Sequence, residues 1–233
     1  MSLKDVNGAY PGVLIERKEV SFFHKGFLPM DGINQKTGEV ILTKHCRIID
    51  HCLNDGIDGL ISVIGVKYTT ARDVAEKVIH LIMEKLNKPF KRHLSSEKPL
   101  VGGDIPKFND YLSEYINQYS GRFQPSVIKH LIYNYGSKHS QVIKRIRQDK
   151  KLSTLIPGSK EVLKAEVIHA VQEEMAIKLS DVILRRTDLG TIVEPDESIL
   201  TTCGSLMAAG LGWNHQRIQR EIREVKESYQ TAD

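Results

Sequence analysis

The stretch Gly59-Leu60-Ile61-Ser62-Val63-Ile64-Gly65-Val66-Lys67-Tyr68-Thr69-Thr70-Ala71-Arg72 decides how this chain is read. Leu60 to Ile64 is a short apolar run with β-branched residues, Gly65 interrupts it, and a helical repeat begins at Ala71 with Thr69 or Thr70 placed to cap it. The sequence therefore predicts strand, tight turn, helix. The first N–H groups of such a helix have no internal partner, and the helix dipole places roughly half a positive charge there. Lys67 adds a full charge in the turn, and Gly65, with no side chain, would let a flat ring approach the backbone. The local chemistry suits an electron-rich or anionic ligand.

Downstream, Val74, Val78, Leu81, Ile82 and Leu86 fall on one helical face, and Pro89 ends that helix with Lys85 at a solvated end. Upstream, Val20 to Phe27 and Glu39 to Lys44 are short β-type runs joined by a stretch with Pro29, Asp31-Gly32 and Thr37-Gly38, which predicts a hairpin with a long connection. Arg47 to Cys52 is a third run, closed by Asn54-Asp55-Gly56, and the first 13 residues read as a linker or a ragged start.

Beyond Pro89 the segment to Pro106 is rich in Pro, Gly and charge and marks a domain boundary. From there the pattern is helical: Lys107 to Tyr119, Pro125 to Tyr135 with proline at a first helical position, Ser140 to Asp149, a long amphipathic helix from Lys160 to Leu179, Asp181 to Arg186, Pro195 to Ala209, and a last helix capped by Asn214. The expected fold class is α+β, with residues 1–92 forming strands plus one helix and residues 93–233 an all-α domain.

A length of 233 residues and a net charge of +4 fit an ordinary globular chain and give no argument for nucleic acid. The basic stretches Lys85 to His93 and Lys144 to Lys151 lack interleaved aromatic platforms. Three cysteines make no disulfide framework, and no run approaches the roughly 20 apolar residues of a membrane span, so a cytoplasmic chain, at most peripheral to a membrane, is expected. His45-Cys46 and His51-Cys52 have zinc-ligand chemistry, but along a strand the pairs would stand roughly 20 Å apart, and no metal site is expected.

The sequence contains neither Gly-x-Gly-x-x-Gly after a strand nor a Gly-Lys-Ser/Thr phosphate loop. Even so, Ser62 to Arg72 resembles the second flavin-contacting segment of FAD-dependent glycerol-3-phosphate dehydrogenases and oxidases, usually Gly-Gly-Lys-Leu/Tyr-Thr-Thr-x-Arg, with Val66 in place of the second glycine. Pro99-Leu100-Val101-Gly102-Gly103, Tyr135-Gly136, and Glu166 to Ala176 followed by Asp181 to Gly190 are similar to further motifs of that family. Within these, Glu173 and Glu174 with Arg185 and Arg186 are expected to pair between successive helices, and His169 to be structural.

The resemblance implies that this is the C-terminal portion of a flavoenzyme oxidising sn-glycerol 3-phosphate to dihydroxyacetone phosphate, linked to quinone or oxygen and inactive by itself. FAD would be bound through Gly65, Val66, Lys67, Thr69 and Thr70, with Lys67 as the catalytic charge and Lys44 and Lys67 holding substrate. The implied partners are a phosphorylated polyol, the N-terminal FAD-binding region absent here, and a second copy in a homo-oligomer. A non-catalytic helical interaction module derived from the family is the alternative. Gly26-Phe27-Leu28-Pro29 departs from the family's Gly-x-Arg-Pro, whose arginine is implied as a bidentate phosphate clamp, a task that leucine cannot perform.

Overall fold

A computed structural model of the chain describes residues 3–10, 12, 14–22, 26–90 and 94–229. These fall into two units, Lys25–Pro99 and Leu100–Asp233 with Met1–His24. The architecture is α+β: short antiparallel strand pairs in the first unit, helices throughout the second.

The amino-terminal stretch differs from a linker. It forms α1 (Leu3–Ala9), closed by the Asn7 side chain, which accepts from the Ile15 N–H at 2.9 Å and donates to the Ile15 carbonyl at 3.0 Å. In the first unit β1 (Met30–Ile33) pairs with β2 (Val40–Leu42). The first strand thus begins later than the run Val20 to Phe27, of which residues 23–25 lie outside the described residues. Asp31-Gly32, read from sequence as a turn, lies inside β1: Gly32 at φ +147° accommodates a register shift between Met30 and Gly32. The turn is Asn34 to Gly38, where the Asn34 side chain accepts from the Lys36 N–H at 2.9 Å and Gly38 takes a left-handed φ of +72°.

Strand β3 (Arg47–Asp50) stops sooner than the apolar run, because the Asp50 carboxylate accepts the Cys52 N–H at 3.1 Å and opens a one-turn helix α2 (His51–Asp55). Strand β4 (Ile61–Ile64) pairs antiparallel with β3, Ile48 opposite Val63 and Ile49 opposite Ser62. Helix α3 (Ala71–Lys85) follows. Its last residue is only partly exposed and is paired: the Lys85 ammonium lies 2.9 Å from the Asp50 carboxylate, tying α3 to the end of β3, and this contact holds the Asp50 carboxyl below its usual pKa. Of the basic stretch that continues from Lys85, residues 91–93 lie outside the described residues.

The second unit carries the buried core. Helices α4 (Phe108–Tyr119), α5 (Pro125–Tyr135) and α6 (His139–Gln148) enclose Ile128, Leu131, Ile132, Val142, Ile143 and Ile146. Helices α7 (Lys164–Glu173), α8 (Leu179–Asp181), α9 (Glu197–Leu211) and α10 (His215–Glu227) enclose Val167, Leu179, Ile183, Leu200, Met207 and Val225. Pro125 begins α5, and the Asn214 side chain caps α10 by accepting from the Arg217 N–H at 2.8 Å, both as the sequence predicts.

The long helix expected from Lys160 to Leu179 is instead α7 alone. At its start the Leu163 N–H donates to the Glu166 carboxylate at 2.7 Å, and Gly158 at φ +80° turns the preceding chain. At its end Met175, at φ +56°, reverses the backbone so that the Ala176 N–H reaches the Ala170 carbonyl. A single π-turn, Val182–Arg186, follows α8. No helix among the described residues is long and apolar enough to cross a membrane.

Candidate functional site

The segment after β4 runs through Gly65, Val66 and Lys67 into a 3₁₀ turn, Tyr68–Thr70, and then α3. Neither threonine caps α3. The Thr70 hydroxyl donates backwards to the Lys67 carbonyl at 3.2 Å, because the 3₁₀ turn has replaced the extended residue that a side-chain cap requires.

Gly65, Val66 and Lys67 line a cleft of about 700 Å³ within this unit. Its other walls are residues 27–29, the end of β2 with Thr43, Val63 of β4, and Ala71, Val74, Ala75, Val78 and Ile79 of α3. The helical face that the sequence gives to Val74 and Val78 therefore borders the cleft at those two residues. A side chain added at Gly65 would meet nothing within 4 Å, so the backbone there stands open to a ligand.

Among the described residues, Lys67 is the one charged side chain of the cleft wall, and Thr43 and Tyr68 contribute hydroxyls. Thr43 is engaged, donating to the Asp31 carboxylate at 2.8 Å. Thr69 and Thr70 do not line the cleft, and neither does Lys44, an exposed residue beyond the end of β2. Sequence reasoning did not single out Phe27 and Tyr68, both fully exposed at the cleft. Each adjoins a quoted motif residue, and full exposure of a large ring beside a cleft is the signal that only coordinates carry.

The turn fits the edge of a flat ring, with Gly65 as an open floor and Lys67 as the charge. Nothing in the sequence forms a pyrophosphate cradle. No three His, Cys, Asp or Glu side chains among the described residues converge as metal ligands. His45 and Cys46 precede β3, whereas His51 and Cys52 belong to α2.

In the helical unit the ion pairs are placed differently from the expected network. Arg186 does approach Glu174 (3.7 Å), but Glu173 pairs with Arg145 at 2.7 Å and Arg185 with Asp181 at 3.2 Å. His169 is buried, accepts from the Arg145 guanidinium at 3.3 Å and stands edge-on to Tyr135.

The profile described as the C-terminal domain of alpha-glycerophosphate oxidase matches residues 94–218. The chain belongs to this family. A glycerol-3-phosphate dehydrogenase of Synechocystis is 26% identical over 226 residues, which cover 97% of this chain and 40% of that protein. A probable mitochondrial glycerol-3-phosphate dehydrogenase of Dictyostelium discoideum is 26% identical over 231 residues, covering 95% and 34%. An aerobic glycerol-3-phosphate dehydrogenase of Staphylococcus haemolyticus is 28% identical over 143 residues, covering 57% and 25%. The chain thus spans well under half the length of these relatives. The alpha-glycerophosphate oxidase family match falls almost entirely on the helical unit, while the first two of these relatives extend over nearly the whole chain.

Proposed function

We propose that this chain supplies the C-terminal portion of an FAD-dependent enzyme that oxidises the secondary alcohol of a glycerol 3-phosphate-type substrate to a ketone. The observation that carries this reading is the cleft at Gly65 to Lys67, with an open backbone floor beside the Lys67 cation in the turn that precedes α3, in a chain similar to glycerol-3-phosphate dehydrogenases. When bound, the flavin supplies the hydride acceptor. Gly65 and Val66 would border the ring, and Lys67 on the same cleft wall would supply the positive charge for the reduced ring and the substrate anion. The sequence has no pyrophosphate cradle, so the rest of the cofactor is held by polypeptide corresponding to the remainder of the relatives' length. Large apolar side chains exposed on the Lys25–Pro99 unit, including Val40, Ile41 and Leu53, support such a partner.

The test is to express the chain joined to whatever the gene encodes upstream of Met1. Yellow flavin that bleaches on addition of substrate supports the reading, and the isolated chain is expected to be colourless. If the upstream sequence holds no Gly-x-Gly-x-x-Gly, the reading fails and a non-catalytic module takes its place. Stoichiometric flavin retained by the isolated chain through gel filtration would mean that the site is completed elsewhere.

A further inference from the structure

Among the described residues the cleft wall has one cation, Lys67, and is otherwise almost entirely apolar. Phe27 and Leu28 stand on it, and neither is buried in the core; Leu28 is 68% exposed. They are held there by the hairpin, since the Pro29 carbonyl accepts the Thr43 N–H at 3.0 Å and extends the β1–β2 pairing to the residue beside Leu28. Val63, Val74, Val78 and Ile79 line the same cleft. A phosphate monoester carries close to two negative charges at neutral pH, a phosphodiester only one. Lys67 can compensate one charge; a second would face Phe27, Leu28 and Val63, where leaving water is costly without a partner. Lys44, the other basic residue that the sequence offers, is not on this wall.

Resting on the reading above, we infer that this cleft recognises a glycerophosphodiester whose single charge meets Lys67 and whose second ester group is apolar and lies along Phe27 and Leu28, in preference to glycerol 3-phosphate itself. The glycerol C2 hydroxyl, on which the proposed oxidation acts, is common to both ligands. Discrimination comes from matched charge number and from apolar surface removed from water.

The experiment is a ¹H–¹⁵N titration of the full 233-residue chain at pH 7.5 with sn-glycerol-3-phosphohexanol and, separately, with sn-glycerol 3-phosphate. The diester is expected to shift the amides of Phe27, Gly65 and Lys67 at roughly tenfold lower concentration than the monoester. Lys67→Met should weaken binding of both ligands without favouring the monoester, and Leu28→Arg should reverse the preference by adding a cation to the apolar wall. If glycerol 3-phosphate moves the same amides at equal or lower concentration, the inference is overturned while the flavoenzyme reading stands. If neither ligand moves the cleft amides, the inference falls and the cleft loses its standing as the substrate site. If the unjoined chain shows the preference but no flavin binds to the joined one, the ligand class survives without the proposed oxidation.

Discussion

The Gly102 carbonyl packs so tightly on Gly136 that a Cβ on Gly136 would stand 2.0 Å from the Gly102 oxygen and 2.8 Å from its carbonyl carbon. The same oxygen accepts the Ser137 N–H at 3.0 Å, and Gly136 holds a φ of +54°. Two motifs far apart in sequence, Pro99 to Gly103 and Tyr135-Gly136, thus meet backbone to backbone at the edge of the helical unit. Gly136→Ala should cost roughly 3 kcal/mol or more, through both the left-handed φ and displacement of the segment carrying Gly102. Gly121→Ala, at φ +71° but with nothing within 4 Å, should cost only about 1 kcal/mol. Thermal unfolding at 222 nm makes the comparison; equal midpoints for the two variants would dismiss the close approach as a determinant.

Three buried histidines give the helical unit a pH dependence of defined sign. Burial lowers the pKa of His139, only partly opposed by its hydrogen bond to the Gly136 carbonyl, and the His139 Nε2 is buried without a partner. Burial, reinforced by the charge of Arg145, lowers that of His169. Below the ordinary value of 6.5 the unfolded chain binds these protons and the folded chain resists them, so their contribution is present above 6.5 and lost as pH falls. His130 is opposite. Burial alone would lower its pKa, but the Glu166 carboxylate at 2.9 Å outweighs burial and raises it, so its contribution is complete below 6.5 and fades as pH rises through the raised value.

Two groups act on the acid side and one on the alkaline side, with each changing stability by up to about 1.4 kcal/mol per pH unit. The urea midpoint should therefore fall more steeply from pH 6.5 to 5.5 than from 6.5 to 7.5. His139→Gln should flatten the acid limb, and an unchanged limb would assign the acid sensitivity to other groups.

The strand, turn and helix from Ile61 to Lys85 were legible because each signal is local: a β-branched run, a glycine, then apolar residues at helical spacing. The hairpin was half legible. Asp31-Gly32 has turn composition, yet the bulge in β1 uses the freedom of that glycine for register rather than reversal. The end of α7 carries no glycine or proline, since Met175 takes the left-handed position, and so the pattern ran through it. Lys85 with Asp50 and Arg145 with Glu173 are pairs 35 and 28 residues apart, which periodicity does not report. The turn at Gly65 to Lys67 was found from sequence, but the apolar wall of Phe27, Leu28 and Tyr68 is a property of three-dimensional closure.

In the flavoenzyme proposed above, Lys67→Met should keep most of the stem volume and remove the one cation that the described residues place on the cleft wall. Flavin reduction by substrate is expected to slow by roughly 10²-fold, in the range found when one preorganised electrostatic contact to developing charge is lost. Lys85 does not serve as the comparison, because its contact with Asp50 is structural. Lys36, exposed in the hairpin turn, does. Stopped-flow bleaching of the flavin separates the two variants. If Lys67→Met reduces as fast as Lys36→Met, the turn has no electrostatic role.

The two units should differ in their ability to fold alone. Residues 100–229 bury two continuous apolar clusters, whereas in the unit Lys25–Pro99 the described residues that are nearly inaccessible are Val74 (8% exposed) and Thr43 (9%). Burial at roughly 25 cal/mol per Å² supplies the helical unit with a core and leaves the strand unit little to set against backbone entropy. The N-terminal segment adds to the helical unit: the Phe22 ring lies 4.8 Å from that of Tyr229, and the Ser21 hydroxyl donates to the Ile192 carbonyl at 2.8 Å. A polypeptide of residues 100–233 should therefore unfold cooperatively, at a midpoint a few degrees below that of the full chain. Phe22→Ala in the full chain should lower the helical transition by a similar amount. A polypeptide of residues 25–99 should show no cooperative transition and should aggregate through its unpaired strand edges. A non-cooperative helical signal from residues 100–233, or a sharp transition from residues 25–99, would place the source of stability in the wrong unit.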